Sequence, residues 1–202
     1  MTYDNDHNDD YGKKNDYDRY DDEKRACMII VFTGNGKGKT TAALGQAVRV
    51  LGRGKTALMI QFIKGPWKSG EDNFGAQFQI PNDKFQVRKM GLGFVGILGD
   101  KLPREEHERA AQNALQMFRE EFAKKTWDLI ILDEVNVAID LKLVSTEEVL
   151  DVLKDVVDEE FVLCTGRGAP QELIDRADLV TEMREVKHPF NDQKLAKIMV
   201  EF

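Results

Sequence analysis

The chain has 202 residues, 42% of them apolar, and a formal charge of −7. That length and apolar fraction suit one α/β domain with a sizeable core, and no stretch approaches the roughly 20 apolar residues that span a bilayer. Residues 1–25 hold nine acids against five Lys or Arg, a balance of −4 that leaves −3 for everything after them. A nearly neutral, slightly acidic core offers no broad attraction to a nucleic-acid backbone, which argues against that partner.

Residues 1–25 are rich in Asp, Asn and Tyr with almost no aliphatic side chains, so they read as a disordered acidic tail ahead of one domain over 26–202. The tail is either simply solvated or orders over a bound ligand. No charged-then-apolar leader opens the sequence, which points to the cytoplasm. Cys27 and Cys164 fall inside apolar, strand-like runs and read as core residues of a reducing compartment. From Cys27 onward, strand-like and helix-like segments alternate, the pattern of a mainly parallel sheet with helices on both faces. Strands are expected at 27–33, 56–62, 84–90, 128–133, 160–165 and 179–184. A helix after the first strand should stop near Gly52-Arg53-Gly54. Pro103 should open a long helix carrying Ala111, Leu115, Phe118 and Phe122 on one face, with His107 solvated among its charges. Ser145 and Glu148 make a capping box for a third. Residues 64–82 and 91–102 fit no regular element and should form loops at the ligand end of the sheet.

Gly34-Asn35-Gly36-Lys37-Gly38-Lys39-Thr40-Thr41 sits directly between the first strand and the first helix. Glycines let successive backbone amides turn toward one anion, and a helix beginning there adds its positive end. Lys39 reaches outer phosphates and the Thr40 hydroxyl can hold Mg²⁺. The usual spacing places Gly where this chain has Thr33, with Gly34 one residue late. This arrangement binds a nucleoside triphosphate. Leu129-Ile130-Ile131-Leu132-Asp133-Glu134 is a buried strand ending in two acids, making Asp133 and Glu134 candidates for Mg²⁺, directly or through water. Thr165-Gly166-Arg167-Gly168 follows another apolar strand. Arg167 there either pairs with phosphate oxygens or caps a neighbouring helix. The segment from Gln61 to Glu71 mixes cationic, acidic and aromatic groups, as a site for a large amphipathic ligand would, although Trp67 is equally a surface anchor. His7 lies in the tail and His188 reads as structural; no Cys/His spacing suggests zinc. No side-chain nucleophile has an adjacent base, so any nucleophile comes from a second substrate.

Together these stretches resemble the ATP:corrinoid adenosyltransferases. The matching residues are Thr33 through Thr41, Gln61-Phe62-Ile63-Lys64-Gly65 with Gly70-Glu71, Gly93-Phe94, Leu132-Asp133-Glu134, Thr165 through Gly168, and Val186-Lys187-His188 with Phe190. The resemblance implies a P-loop NTPase scaffold of the RecA-like type that moves the 5′-deoxyadenosyl group of ATP to a reduced corrinoid and releases triphosphate. It implies that Gly34, Asn35, Gly36, Lys37, Gly38, Lys39, Thr40 and Thr41 hold a reversed ATP, that Lys39 and Arg167 are catalytic, and that Thr40 and Glu134, with Asp133, serve Mg²⁺. It further implies corrinoid contacts from Phe94, Trp67 and Glu71, a homodimer, and a reductase partner such as a flavoprotein. Gly96 stands where family members often carry an aromatic wedge against the corrinoid's lower face, which suggests a changed lower face or a substitute wedge at Ile97 or Leu98. The competing expectation is a phosphotransferase or NTP hydrolase on the same scaffold.

Overall fold

The computed structural model describes residues 28–97, 99–156 and 160–189. The tail, Cys27, Leu98, Val157 and Phe190 lie outside the described residues. Six strands form one all-parallel sheet: β1 (Met28–Thr33), β2 (Ala57–Gln61), β3 (Phe85–Lys89), β4 (Leu129–Asp133), β5 (Phe161–Thr165) and β6 (Leu179–Glu182), in the order β3-β2-β4-β5-β1-β6. Each falls within an expected strand. The last is shorter than expected because pairing with β1 ends at Thr33 opposite Glu182.

Strand side chains alternate between two apolar layers, as a pleated strand requires. Ile29, Val31, Leu58, Ile60, Ile130, Leu132, Val162 and Cys164 share one layer, and Ile30, Met59, Ile131 and Leu163 share the other. The first layer is closed by α3 (Arg104–Ala123), α4 (Val135–Asp140), α5 (Thr146–Leu153) and α6 (Gln171–Arg176), through residues such as Phe118, Ala138, Val149 and Leu173. The second is closed by α1 (Lys39–Gly52), whose Ala43 and Ala47 let the helix lie close on the sheet. Cys164 is fully buried, and that burial pushes its thiol up to about 12.

The helix stops behave as expected. After Gly52, the amides of Arg53 and Gly54 turn back to Val50 and Leu51. Pro103 caps α3, and Ser145 and Glu148 form the capping box of α5. Two expectations are corrected. Residues 64–82 contain a helix, α2 (Gly70–Gln77), started by a Ser69–Asp72 capping box. His107 is buried at 3% exposure, drawn inward by Asp100, whose Oδ2 lies 3.0 Å from its Nε2. Residues 91–102 form an irregular loop, as expected.

Candidate functional site

β1, β2, β4, β5 and β6 all end on the same edge of the sheet, so the motifs that follow them meet there. The phosphate loop rises from Thr33 and is clasped by the chain leaving β6. Met183 donates its amide to the Thr33 carbonyl (2.8 Å) and accepts the Gly36 amide on its own carbonyl (2.6 Å). Gly34 has φ +91°, and a Cβ there would come within 2.5 Å of the Met183 carbonyl. Only glycine tolerates both that dihedral and that approach. Thr33, the residue out of step with the usual spacing, anchors the loop. Its hydroxyl accepts the Ala169 amide at 3.2 Å, tying the loop to the segment after β5.

No side chain caps the N-terminus of α1, so its first-turn amides face the cavity beside them. Lys39 is buried at 7% exposure, and its ammonium donates to the carbonyls of Gly34 (2.7 Å) and Gly36 (2.8 Å). Burial holds its pKa below the ordinary lysine value, opposed by the Glu134 charge and assisted by Arg167.

Thr40 donates its hydroxyl proton to Asp133 Oδ1 at 2.9 Å, and Thr165 donates to the same oxygen at 2.8 Å. The other oxygen, Oδ2, accepts from Gln61 at 3.1 Å and faces the Lys64 ammonium at 3.8 Å. Asp133 is therefore fully buried, with both oxygens engaged behind the cavity wall. Of these two neighbouring acids, Glu134 is the one that lines the cavity. It adopts a left-handed backbone (φ 63°) at the corner between β4 and α4, held by its amide's bond to the Thr165 hydroxyl at 3.0 Å. Burial and the neighbouring Asp133 push its carboxyl up to about 7, against the pull of Lys39, Lys64 and Arg167.

Asn35, Gly36, Lys37, Gly38, Lys39, Thr40 and Thr41 all line one cavity of about 540 Å³, together with Glu71, Glu134 and Arg167. Arg167 is exposed on the Gly166–Gly168 turn, which Asn136 fixes by donating to the Gly166 carbonyl at 3.1 Å. Sequence pattern assigned Lys64 and Gly70 only to a segment for a large amphipathic ligand, did not single out Leu44 and gave His188 a structural role, yet all four line the phosphate cavity. The available signal for Lys64 was its place just past the end of β2. Its ammonium donates to Glu71; burial disfavours its charge, but Asp133 and Glu71 outweigh that and raise its pKa. Burial likewise disfavours the Glu71 charge, and the Lys64 hydrogen bond holds that carboxyl down at about 2.

Trp67 and Phe94 do not line this cavity. They form a separate exposed aromatic pair, ring centroids 5.7 Å apart, on the loops after β2 and β3. Those loops are laced together by Gly91 donating to the Gln61 carbonyl (3.1 Å) and Gly93 donating to the Ile63 carbonyl (2.8 Å). The Trp67 indole lies so close over Gly93 that a Cβ there would meet it at 2.7 Å. Ile97, one residue past Gly96, is also exposed.

Comparison with known proteins adds to this geometry. A family model described as ATP:corrinoid adenosyltransferase BtuR/CobO/CobP matches residues 25–202. The corrinoid adenosyltransferase of Escherichia coli (strain K12) is 37% identical over 179 residues, spanning 87% of this chain and 85% of that protein. Corrinoid adenosyltransferase CobA of Salmonella typhimurium is 36% identical over the same length and the same shares. The Pseudomonas aeruginosa corrinoid adenosyltransferase is 34% identical over 175 residues, 87% of this chain and 83% of its own.

Proposed function

This chain belongs to the ATP:corrinoid adenosyltransferase family, and we propose that its phosphate loop grips the triphosphate of ATP as a departing group, with C5′ turned toward the corrinoid. The reaction it carries out joins the 5′-deoxyadenosyl group of ATP to the cobalt of a reduced corrinoid and releases triphosphate. The Co(I) electron pair forms the cobalt–carbon bond as the C5′–oxygen bond breaks. The substrate brings its own nucleophile, which fits a site whose side chains supply positioning and charge.

One observation carries the proposal: Lys37, Lys39, Lys64 and Arg167 converge with the uncapped start of α1 on a single cavity. A triphosphate gains negative charge at its leaving oxygen, and preorganised cations and amides stabilise that charge where it develops. In this reading Asn35, Lys37, Gly38, Thr40 and Thr41 hold the triphosphate, and Gly34 and Gly36 shape the loop. Lys39 and Arg167 bear on the leaving group.

The donor set suits Mg²⁺, a hard cation that takes oxygen ligands. Thr40, which lines the cavity, donates its proton to Asp133, so its oxygen can still accept a cation. Glu134 and Asp133 are adjacent acids, the first raised to about 7, an arrangement that a cation relieves. Thr40 and Glu134 would hold the ion with Asp133 behind them, and the ion would supply further neutralisation of the phosphates. Trp67 and Phe94, their rings tilted by 40° to each other, give the corrinoid an exposed aromatic surface, and Glu71, tethered to Lys64 at the cavity wall, adds a polar contact. Family resemblance further supports a cytoplasmic homodimer served by a flavoprotein reductase, and light scattering of the purified chain tests the assembly. Among the described residues, no helix is long and apolar enough to cross a membrane.

Anaerobic incubation with ATP, Mg²⁺ and chemically reduced cobalamin tests the grip directly. One triphosphate should appear for each cobalt–carbon bond. ADP or phosphate in place of triphosphate would mean that the distal phosphorus, and not C5′, faces the acceptor.

A further inference from the structure

The aromatic pair is fastened on one side by the lacing to β2 and by Val95 on the core, and the stretch beyond it is gathered around one carboxylate. Asp100 Oδ2 accepts the Gly96 amide at 2.8 Å, and Oδ1 accepts the Leu102 amide at 3.0 Å. Both ends of this stretch are thus closed onto one side chain. That side chain is itself held by His107, whose Nε2 lies 3.0 Å from Asp100 Oδ2. An ionised carboxylate only accepts, so Nε2 carries the proton in this pair. His107 is 3% exposed on α3, a 20-residue helix that packs Ala111, Phe118 and Phe122 into the core. The loop therefore hangs from a rigid element through a buried donor.

We propose that His107 is a positioning residue for the corrinoid platform, acting through Asp100. The apolar side chains it steadies are Phe94 and Ile97, exposed at 45% and 59%, which offer little burial of their own to fix the loop. Val95 packs on the core, so without the His107–Asp100 link the segment from Gly96 to Leu102 is a tether between Val95 and Pro103. Each corrinoid binding event would then bear the ordering entropy of that tether. The phosphate cavity shares no residue with this cluster, so the effect falls on one substrate alone. The inference rests on the reading of Trp67 and Phe94 as the corrinoid surface.

The test compares KM for cob(I)alamin with KM for ATP, and reads cob(II)alamin affinity at equilibrium by quenching of tryptophan fluorescence. A hydrogen bond to a charged acceptor is strong enough that its loss should weaken corrinoid affinity about tenfold. His107→Leu should raise the corrinoid KM and dissociation constant by about that factor, with the ATP KM within about twofold of wild type. His107→Gln, which keeps a donor near the Nε2 position, should restore most of the affinity. If His107→Leu does not fold, Asp100→Asn breaks the same cluster from the loop side and should show the same split. Equal rises in both KM values, no rise, or no rescue by His107→Gln would overturn the proposal. Phe94→Ala is the control for the underlying reading. An unchanged corrinoid KM there removes the platform itself, whereas a raised KM there with none in His107→Leu removes only the role of His107.

Discussion

At the scale of single residues, the site separates groups that touch ligand from groups that aim them. Lys39 belongs to the first kind. Its ammonium already rests on its own loop carbonyls and needs only a short swing to reach phosphate. Lys39→Ala should lower kcat/KM for ATP by about 100-fold, the usual scale for removing one preorganised donor from a developing charge. Glu134 and Asp133 are neighbouring acids with different work, one lining the cavity and the other orienting Thr40 and Thr165 from behind. Glu134→Gln removes one of two crowded acids, so the ligand-free melting temperature should hold or rise by a few degrees. Turnover should meanwhile fall at least about tenfold and lose its response to added Mg²⁺. A variant that melts lower yet turns over normally would take Glu134 out of the metal role.

At the scale of elements, the strands were legible because β-branched and aliphatic runs buried on both faces stand out from their surroundings. α2 was not. Gly70, Asn73 and Gly75 depress helix propensity across its eight residues, and the helix forms through the Ser69–Asp72 capping box and the packing of Phe74 on Phe85. α3 shows the converse case, a helix visible from its pattern whose polar contacts were not. Glu121 lies buried on it, accepting from Arg88 of β3 (2.7 Å), Lys124 (2.7 Å) and the Trp127 indole (2.9 Å). Burial opposes its charge, but the bonds from Lys124, Trp127 and Arg88 prevail and hold its carboxyl down at about 2. The unfolded chain takes up this proton at ordinary carboxylate pH, near 4.3. The stabilisation is thus complete above that value and is lost as pH falls toward 2. Glu121→Gln should cost about 2–3 kcal/mol at neutral pH and flatten the acid limb of a denaturation–pH curve. An unchanged acid limb would mean that Glu121 does not carry this dependence.

At the scale of the whole molecule, the strand order does the assembling. β5 lies between β1 and β4, so Thr165 can bridge from its own strand end to Asp133 while Asp133 takes the Thr40 hydroxyl from the start of α1. β6 on the far side of β1 delivers Met183 to clasp the loop. Three chain segments therefore hold one anion site, and ligand binding should stabilise the fold as a unit. Mg²⁺ and ATP at about 100 times the dissociation constant should add about 2.7 kcal/mol, a rise of about 5–10 °C in melting temperature for a chain of this size. Lys39→Ala should abolish most of that rise. A full rise in the variant would place the nucleotide outside this cavity.

Local chemistry made much of this protein legible from its residues alone. A glycine-rich run between an apolar strand and a helix start is short-range information, and so are a strand ending in Asp-Glu and a Ser-x-x-Glu cap. Long-range pairing decided the rest: Asp133 behind the wall and Glu134 at it, Lys64 and Arg167 on one cavity, and Thr33 bonded to Ala169. Those relations join residues that no local pattern connects, and they exist because burying a charged or polar group is favourable only where a partner from another strand or helix meets it.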